Sequence, residues 1–202
     1  MRSTTAEEAT CTRAALAVRR VHPWRAAALA ATLLLTAVGT ATAVPVGSST
    51  AREALTLCER AESLPAGAER DQLLVRGMAL AEAAVAADPR DALAHYATVC
   101  NLGNQMEASG LGFGQLVRLP RLRRELDVTL ELAPDDADSM VAKGALLLQL
   151  PRLLGGDAAA AEDLLRHAVA IEPDNHTANC YLAQVLIARG AQSEARALHS
   201  HC

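Results

Sequence analysis

The stretch "LPRLLGGDAAAAEDLLRHAVAIEPDN", residues 150–175, decides the fold. A Gly-Gly-Asp break precedes a run of alanines and a charged segment, and Pro173 follows. A phosphate-binding loop needs further glycines after a strand, usually with a Lys-Ser/Thr pair, and none of these is present. Asp157 instead stands where an N-cap residue precedes a helix. The stretch therefore predicts a packing helix and not a nucleotide site.

Pro89, Pro134 and Pro173 mark a repeated unit. The first two lie 45 residues apart and the last two lie 39 residues apart. Each proline follows a helical segment that ends in small and apolar residues, and each precedes an Asp or Asn that can cap the next helix. Both spacings exceed the roughly 34 residues of a tetratricopeptide repeat, so both units carry an insertion.

Small residues recur at the spacing of paired helices. Ala161 and Ala168 fit the second-helix pattern of a tetratricopeptide repeat, in which small side chains let two helices approach closely. Ala183 and Ala195 match the small positions of one further pair, and Gly144 holds the place of Ala183 one unit earlier. These positions are predicted to lie at close helix contacts.

The composition favours the same fold. Apolar residues make up 51% of the chain but aromatic residues only 2%. Strands draw on β-branched and aromatic residues, so this chain favours helices. We predict an all-α domain over residues 51–202, built of antiparallel helix pairs as a tetratricopeptide-like α-solenoid with two loop insertions. The net charge of −4, with mixed signs, gives no basis for a nucleic-acid partner.

The N-terminal segment has a different character. An arginine-rich region precedes an uncharged apolar run, and an A-x-A cleavage site ends it. We predict an export signal over residues 1–43, with an extended leader whose true start lies near Val18, and a linker over residues 44–50. The expected location is the periplasm. The alternative is that residues 26–43 are retained as an inner-membrane anchor.

A glycine-rich insertion, residues 104–126, separates the helix after Pro89 from the helix before Pro134. It contains the only phenylalanine, Phe113. Two interpretations stay open: a flexible loop, or a loop folded across the concave face with Phe113 as its plug. The arginines at positions 118, 121, 123 and 124 are interpreted as a solvated face and not as an anion-binding patch.

Four cysteines lie beyond the predicted signal, and an oxidising compartment permits disulfides. Cys100 and Cys180 lie on helices two units apart, too far for a bond that needs Cα atoms within about 7 Å. Cys58 and Cys100, on neighbouring units, are the more plausible pair. The terminal "HSHC", residues 199–202, is interpreted as a frayed tail, and neither a metal nor a cofactor is predicted.

The pattern favours a non-catalytic protein–protein interaction module, because stacked helix pairs expose one face of every first helix. The predicted partner-binding residues on that face are Tyr96, Asn101, Asn104, Val141 and Gln184. The alternative is a small-solute pocket closed by the insertions and lined by Phe113, Leu147 and Leu148. No nucleophile–base pair or metal cluster is recognisable, so no catalytic residue is predicted. The C-terminal end of the array is a second predicted surface, for a partner or another copy of the chain.

Two stretches resemble a known family. "AHYATVCNLG" at 94–103 and "GALLLQLPRLLGGD" at 144–157, with a glycine-rich insertion between them, resemble the T component associated with TRAP transporters. They also resemble the related helical-repeat region of regulators of microtubule dynamics. The likeness covers roughly residues 51–200. It implies an exported, periplasmic, all-helical protein that binds a partner protein, and for the T component it implies assembly with a solute-binding protein. The family supplies no catalytic residues.

Overall fold

The computed structural model describes residues 47–108, 113–198 and 202, and all regular structure in these ranges is helical. The all-α prediction is confirmed. The helices are α1 (Ser49–Glu62), α2 (Ala68–Ala87), α3 (Ala92–Ala108), α4 (Phe113–Leu132), α5 (Ala137–Gln149), α6 (Ala158–Ile171), α7 (His176–Ala188) and α8 (Gln192–Leu198), with a 3-10 turn at Arg152–Leu154. None of these described helices is both long and apolar enough to cross a membrane. The predicted signal and anchor lie outside the described residues.

The caps predicted after the three prolines are present. Asp91 accepts a hydrogen bond from the backbone of Ala94 at 3.2 Å, which holds the start of α3. Asp136 and Asn175 cap α5 and α7 in the same way, each accepting from the amide three residues later. Because a side-chain oxygen satisfies a free helical N–H at each start, a cap stands two residues after each of these three prolines and a new helix begins at the next residue.

The Gly-Gly-Asp break works as the sequence predicts. Gly155 has a φ of 81°, in the left-handed region that favours glycine, and it ends the 3-10 turn. Asp157 then accepts hydrogen bonds from the backbone of Ala159 and Ala160 and caps α6. This insertion is a compact turn that redirects the chain from α5 into α6.

Helices that are consecutive in the chain pack on one another, and α1 also packs on α3 and α5 on α7. The contact between α4 and α5 is much smaller than the contacts between α1 and α2 or α5 and α6. The buried core accordingly has one large cluster centred on α1–α3 and another centred on α5–α8. A third cluster, formed by α2, α3 and α4, lies between them.

The small residues singled out in the sequence are buried. Ala161 and Ala168 are fully buried, and Ala183 and Ala195 nearly so. A Cβ added at Gly144 would lie only 3.0 Å from Cγ of Leu165 on α6. The absence of a side chain at Gly144 therefore lets α5 approach α6 closely.

The glycine-rich insertion corrects one prediction. A loop was expected over residues 104–126, but α3 continues to Ala108 and α4 begins at Phe113. Residues 109–112 and the side chains of Phe113 and Gln115 fall outside the described part, so the plug proposed for Phe113 lies there too. The extra residues mainly lengthen two helices, because their apolar residues can pack along the helices' full length.

Two disulfides hold the fold. Cys58 on α1 is bonded to Cys100 on α3, with a Cα–Cα distance of 6.2 Å, and this was the favoured pair. Cys180 is bonded to Cys202, with a Cα–Cα distance of 4.9 Å, so Cys100 and Cys180 do not pair, as predicted. The interpretation of the terminus as a frayed tail is wrong at Cys202, because this bond anchors the residue to α7. Residues 199–201 lie outside the described part.

Ion pairs fasten α8 to the helices before it. Glu162 on α6 is 2.9 Å from Arg166 and 3.1 Å from Arg189. Arg166 also lies 2.6 Å from Glu194 on α8. The network and the second disulfide together hold the C-terminal end that the sequence predicts to be open.

Candidate binding groove between α3, α4 and α5

A groove of about 670 Å³ opens between α3, α4 and α5. It exists because α3 and α5 approach each other less closely than α1 approaches α3 or α5 approaches α7. Glu62 at the end of α1 and Thr177 at the start of α7 reach its rim. All four odd-numbered helices thus contribute to one concavity.

Most of the groove lining is apolar. α4 contributes a stripe at helical spacing, and the turn after α5 closes one side. The main apolar lining residues are Val99, Met106, Leu116, Leu119, Leu122, Leu126, Val141, Leu146, Leu150 and Leu154. A wall of this kind favours hydrocarbon over water.

Three of the five predicted partner-binding residues line this groove. They are Tyr96, Asn104 and Val141. Asn101 is fully buried, and its amide donates to the backbone carbonyls of Ala54 and Ala97, so it joins α3 to α1 and is closed to a partner. Gln184 is half-buried on α7 and does not line the groove.

Leu147 and Leu148, which the sequence predicts for the alternative small-solute pocket together with Phe113, do not line this groove. Leu147 lines a separate cavity of about 200 Å³ beside Arg123 and Lys143, and Leu148 packs against the C-terminal core. Their neighbours Leu146 and Leu150 line the groove instead. Leu147 and Leu148 thus lie on the same helix as the groove-lining residues Leu146 and Leu150 but outside the groove, because the repeat pattern does not give the exact rotation of α5.

One end of the groove is acidic. Asp138, in the first turn of α5, accepts a hydrogen bond from Asn175 at 3.2 Å. Burial, and then the nearby carboxylates of Asp136 and Glu172, raise the pKa of Asp138 to about 6. Asp138 is therefore a carboxyl group whose charge is poorly solvated, and no ion pair with a described cationic side chain offsets this.

Tyr96 lies at the same end of the groove. Its side chain is 5% exposed, and its hydroxyl has no hydrogen-bond partner among the described residues. Burial, and then the carboxylates of Asp138, Asp136 and Glu62, raise its pKa well above the ordinary value for tyrosine. A buried hydroxyl without a partner costs about 1–3 kcal/mol.

Glu62 joins the acidic end to the first disulfide. Its Oε1 accepts a hydrogen bond from the amide of Asn104 at 2.8 Å and lies 3.7 Å from Sγ of Cys100. A carboxylate and two cysteines are a familiar metal-ligand set, and their ligand atoms lie within 4.8 Å of one another. The sulfurs of Cys58 and Cys100 are bonded to each other, so in this state they are not thiolate ligands.

The arginines of α4 mostly have protein partners. Arg121 is 2.7 Å from Glu82, Arg118 donates to Gln105, and Arg123 donates to the carbonyl of Leu154. These contacts join α4 to α2, α3 and the turn before α6. They favour the interpretation of a structural, partly solvated face over an anion-binding patch.

No protein-family model and no curated protein matches this sequence. The likeness to the T component therefore remains a resemblance carried by the residues quoted for it.

Sequence reasoning missed the acidic end and the leucine stripe of α4. Asp138 was interpreted as a helix-start residue, which it also is. The stripe at positions 116, 119, 122 and 126 has helical spacing, but it lay in the segment that was predicted to be a loop.

Proposed function

We propose that this chain is a non-catalytic binding protein of the tetratricopeptide-like class, and that it holds a small apolar ligand in the groove between α3, α4 and α5. The observation that carries the proposal is the groove itself. Its volume of about 670 Å³ falls within the range of about 300–1,000 Å³ that is typical of small-molecule sites. Its lining has the usual form of such sites, with many apolar side chains and a few polar groups at one end.

Two features of the described helices support a repeat architecture. The caps at Asp91, Asp136 and Asn175 recur two residues after each proline. Each even-numbered helix from α2 to α6 packs between two odd-numbered helices. The odd-numbered helices all contribute to the groove lining, and among the described even-numbered helices α4 does so as well. The two disulfides support an oxidising location such as the periplasm.

Gly103 offers a direct test. It lines the groove on α3, and a Cβ added there would meet nothing within 4 Å, so Gly103→Leu should fill the groove without disturbing the helix. Gly114→Leu is the matched control, because this helical glycine also faces open space but does not line the groove. Binding of the neutral dye Nile red, followed by its fluorescence, should weaken in Gly103→Leu alone. Equal dye binding by both variants would place the apolar site elsewhere.

A protein partner is the second candidate, and the exposed apolar residues at the groove mouth favour it. Leu116 lines the groove and is 44% exposed, Val117 beside it is 80% exposed, and Leu153 is 96% exposed next to the lining residue Leu154. Such residues suit a docking surface for another protein of a solute-transport or envelope complex.

Native mass spectrometry of the protein captured from its own periplasm separates the two candidates. A co-purifying small molecule supports the ligand, and a stoichiometric protein supports the partner. Val117→Ser with Leu153→Ser should release a protein partner while leaving dye binding intact.

A further inference from the structure

The charged groups that line the groove are all acidic. Glu62, Glu107 and Asp138 line it, and no lysine, arginine or histidine does so among the described residues. Arg70 lies 3.5 Å from Glu107 and offsets that charge. It also donates to Asn104 at 3.0 Å. Of these three carboxylates, Asp138 has no ion pair in the described part of the chain.

Asp138 lacks a counter-charge. It makes no ion pair in the described part of the chain, and its one hydrogen bond comes from the neutral amide of Asn175. A carboxylate that is partly removed from water and has no cationic partner is unfavourable in the ionised form. A ligand cation would supply the missing charge.

Tyr96 gives independent evidence for a ligand group at this end. Its hydroxyl is buried and has no partner, although the side chain lines the groove. After burial, the groups that raise the pKa of Tyr96 most are the carboxylates of Asp138, Asp136 and Glu62, so the charge around the hydroxyl is negative and none of these groups bonds to it. A donor-rich group placed here would satisfy the hydroxyl oxygen and the carboxylates together.

We propose that the groove selects an amphiphilic cation, with a protonated amine beside Asp138 and Tyr96 and a hydrocarbon body along the leucines of α4. This inference rests on the proposed function and specifies the ligand class. An ammonium group has three donors and no acceptor, which matches the acceptors at this end. An anionic amphiphile of the same length would face the same carboxylates and be rejected.

The test compares decylammonium, 1-decanol and decanoate by isothermal titration calorimetry at pH 7.5, below the concentrations at which they aggregate. Decylammonium should bind the wild-type protein at least about tenfold more tightly than decanol, the difference expected of a charge-assisted contact. Decanoate should bind most weakly. Asp138→Asn should remove most of the preference for the amine, and Tyr96→Phe should reduce it.

Asp163→Asn is the control for net charge, because Asp163 is an exposed acid on α6 outside the groove. It should retain the amine preference. Equal affinities of the wild-type protein for decylammonium and decanol would overturn the cationic ligand and leave the apolar groove as a site. The cationic ligand site would also be overturned if both Asp138→Asn and Gly103→Leu still bound decylammonium more tightly than decanol. Failure of all three compounds to bind would overturn the proposed function itself.

Discussion

Cys58 on α1 and Cys100 on α3 are joined across 42 residues of chain, with Cα atoms 6.2 Å apart. Cys100 also lines the groove, and Glu62 one turn after Cys58 reaches its rim. The disulfide therefore fixes the position of α1 against α3 at the acidic end of the groove. Loss of this bond should affect both the stability of the fold and the geometry of the site.

Replacing both residues, Cys58→Ala with Cys100→Ala, should lower the free energy of unfolding by about 4 kcal/mol, the chain-entropy value for a loop of this length. The bond between Cys180 and Cys202 closes only 22 residues, so its removal should cost roughly 0.6 kcal/mol less on the same basis. Urea unfolding of both double variants measures these losses of unfolding free energy.

Non-reducing peptide mapping tests the disulfide connectivity. It should recover both native links, and a Cys100–Cys180 peptide would contradict the helix order.

Ala168→Leu should destabilise the fold. Ala168 is fully buried in the C-terminal core, and the added atoms have no space there without displacing α6. We expect a loss of about 1–3 kcal/mol. Ala170→Leu is the control, because Ala170 lies on the same helix but is exposed. Thermal melting should separate the two variants, and an unchanged melting temperature for Ala168→Leu would refute the close packing of α6.

Asp138 should make the fold less stable as the pH rises. Its pKa is raised to about 6 in the folded chain, from an ordinary value of 3.8, so the folded state holds its proton more tightly than the unfolded state does. The stability that protonated Asp138 contributes to the fold is therefore fully present below about pH 4. It is lost as the pH rises through about 6.

Asp138→Asn should remove this dependence and stabilise the protein at pH 7.5 by about 1–3 kcal/mol, less a small loss from the helix dipole. Asp163→Asn, at an exposed position, should follow the wild-type profile. Urea unfolding at pH 4.5 and pH 7.5 gives the comparison. If Asp138→Asn and Asp163→Asn stabilise the protein equally at pH 7.5, the gain comes from the change in net charge and not from the local surroundings of Asp138.

The exported form should begin near Val44, after the predicted A-x-A site. N-terminal sequencing of the protein recovered from the periplasm checks this. A membrane-bound product that retains residues 26–43 would support the anchor instead.

The sequence alone determined the helical fold and the places where helices begin. Alanine and leucine content favours helices, and the caps at Asp91, Asp136, Asn175 and Asp157 are local features that depend on a few consecutive residues. The burial of Ala161 and Ala168 could also be predicted from the sequence, because small residues at helical spacing identify the packing face of one helix.

Only the tertiary structure decided which residues form the groove. Its shape depends on how far α3 lies from α5 and on the rotation of each helix, and neither quantity is encoded in a single segment. A rotation by one residue explains why Leu146 faces the groove while the predicted Leu147 does not. Asp138 and Tyr96 lie 42 positions apart in the chain, and the acidic end they share exists only because α3 and α5 bring them to the same end of the concavity.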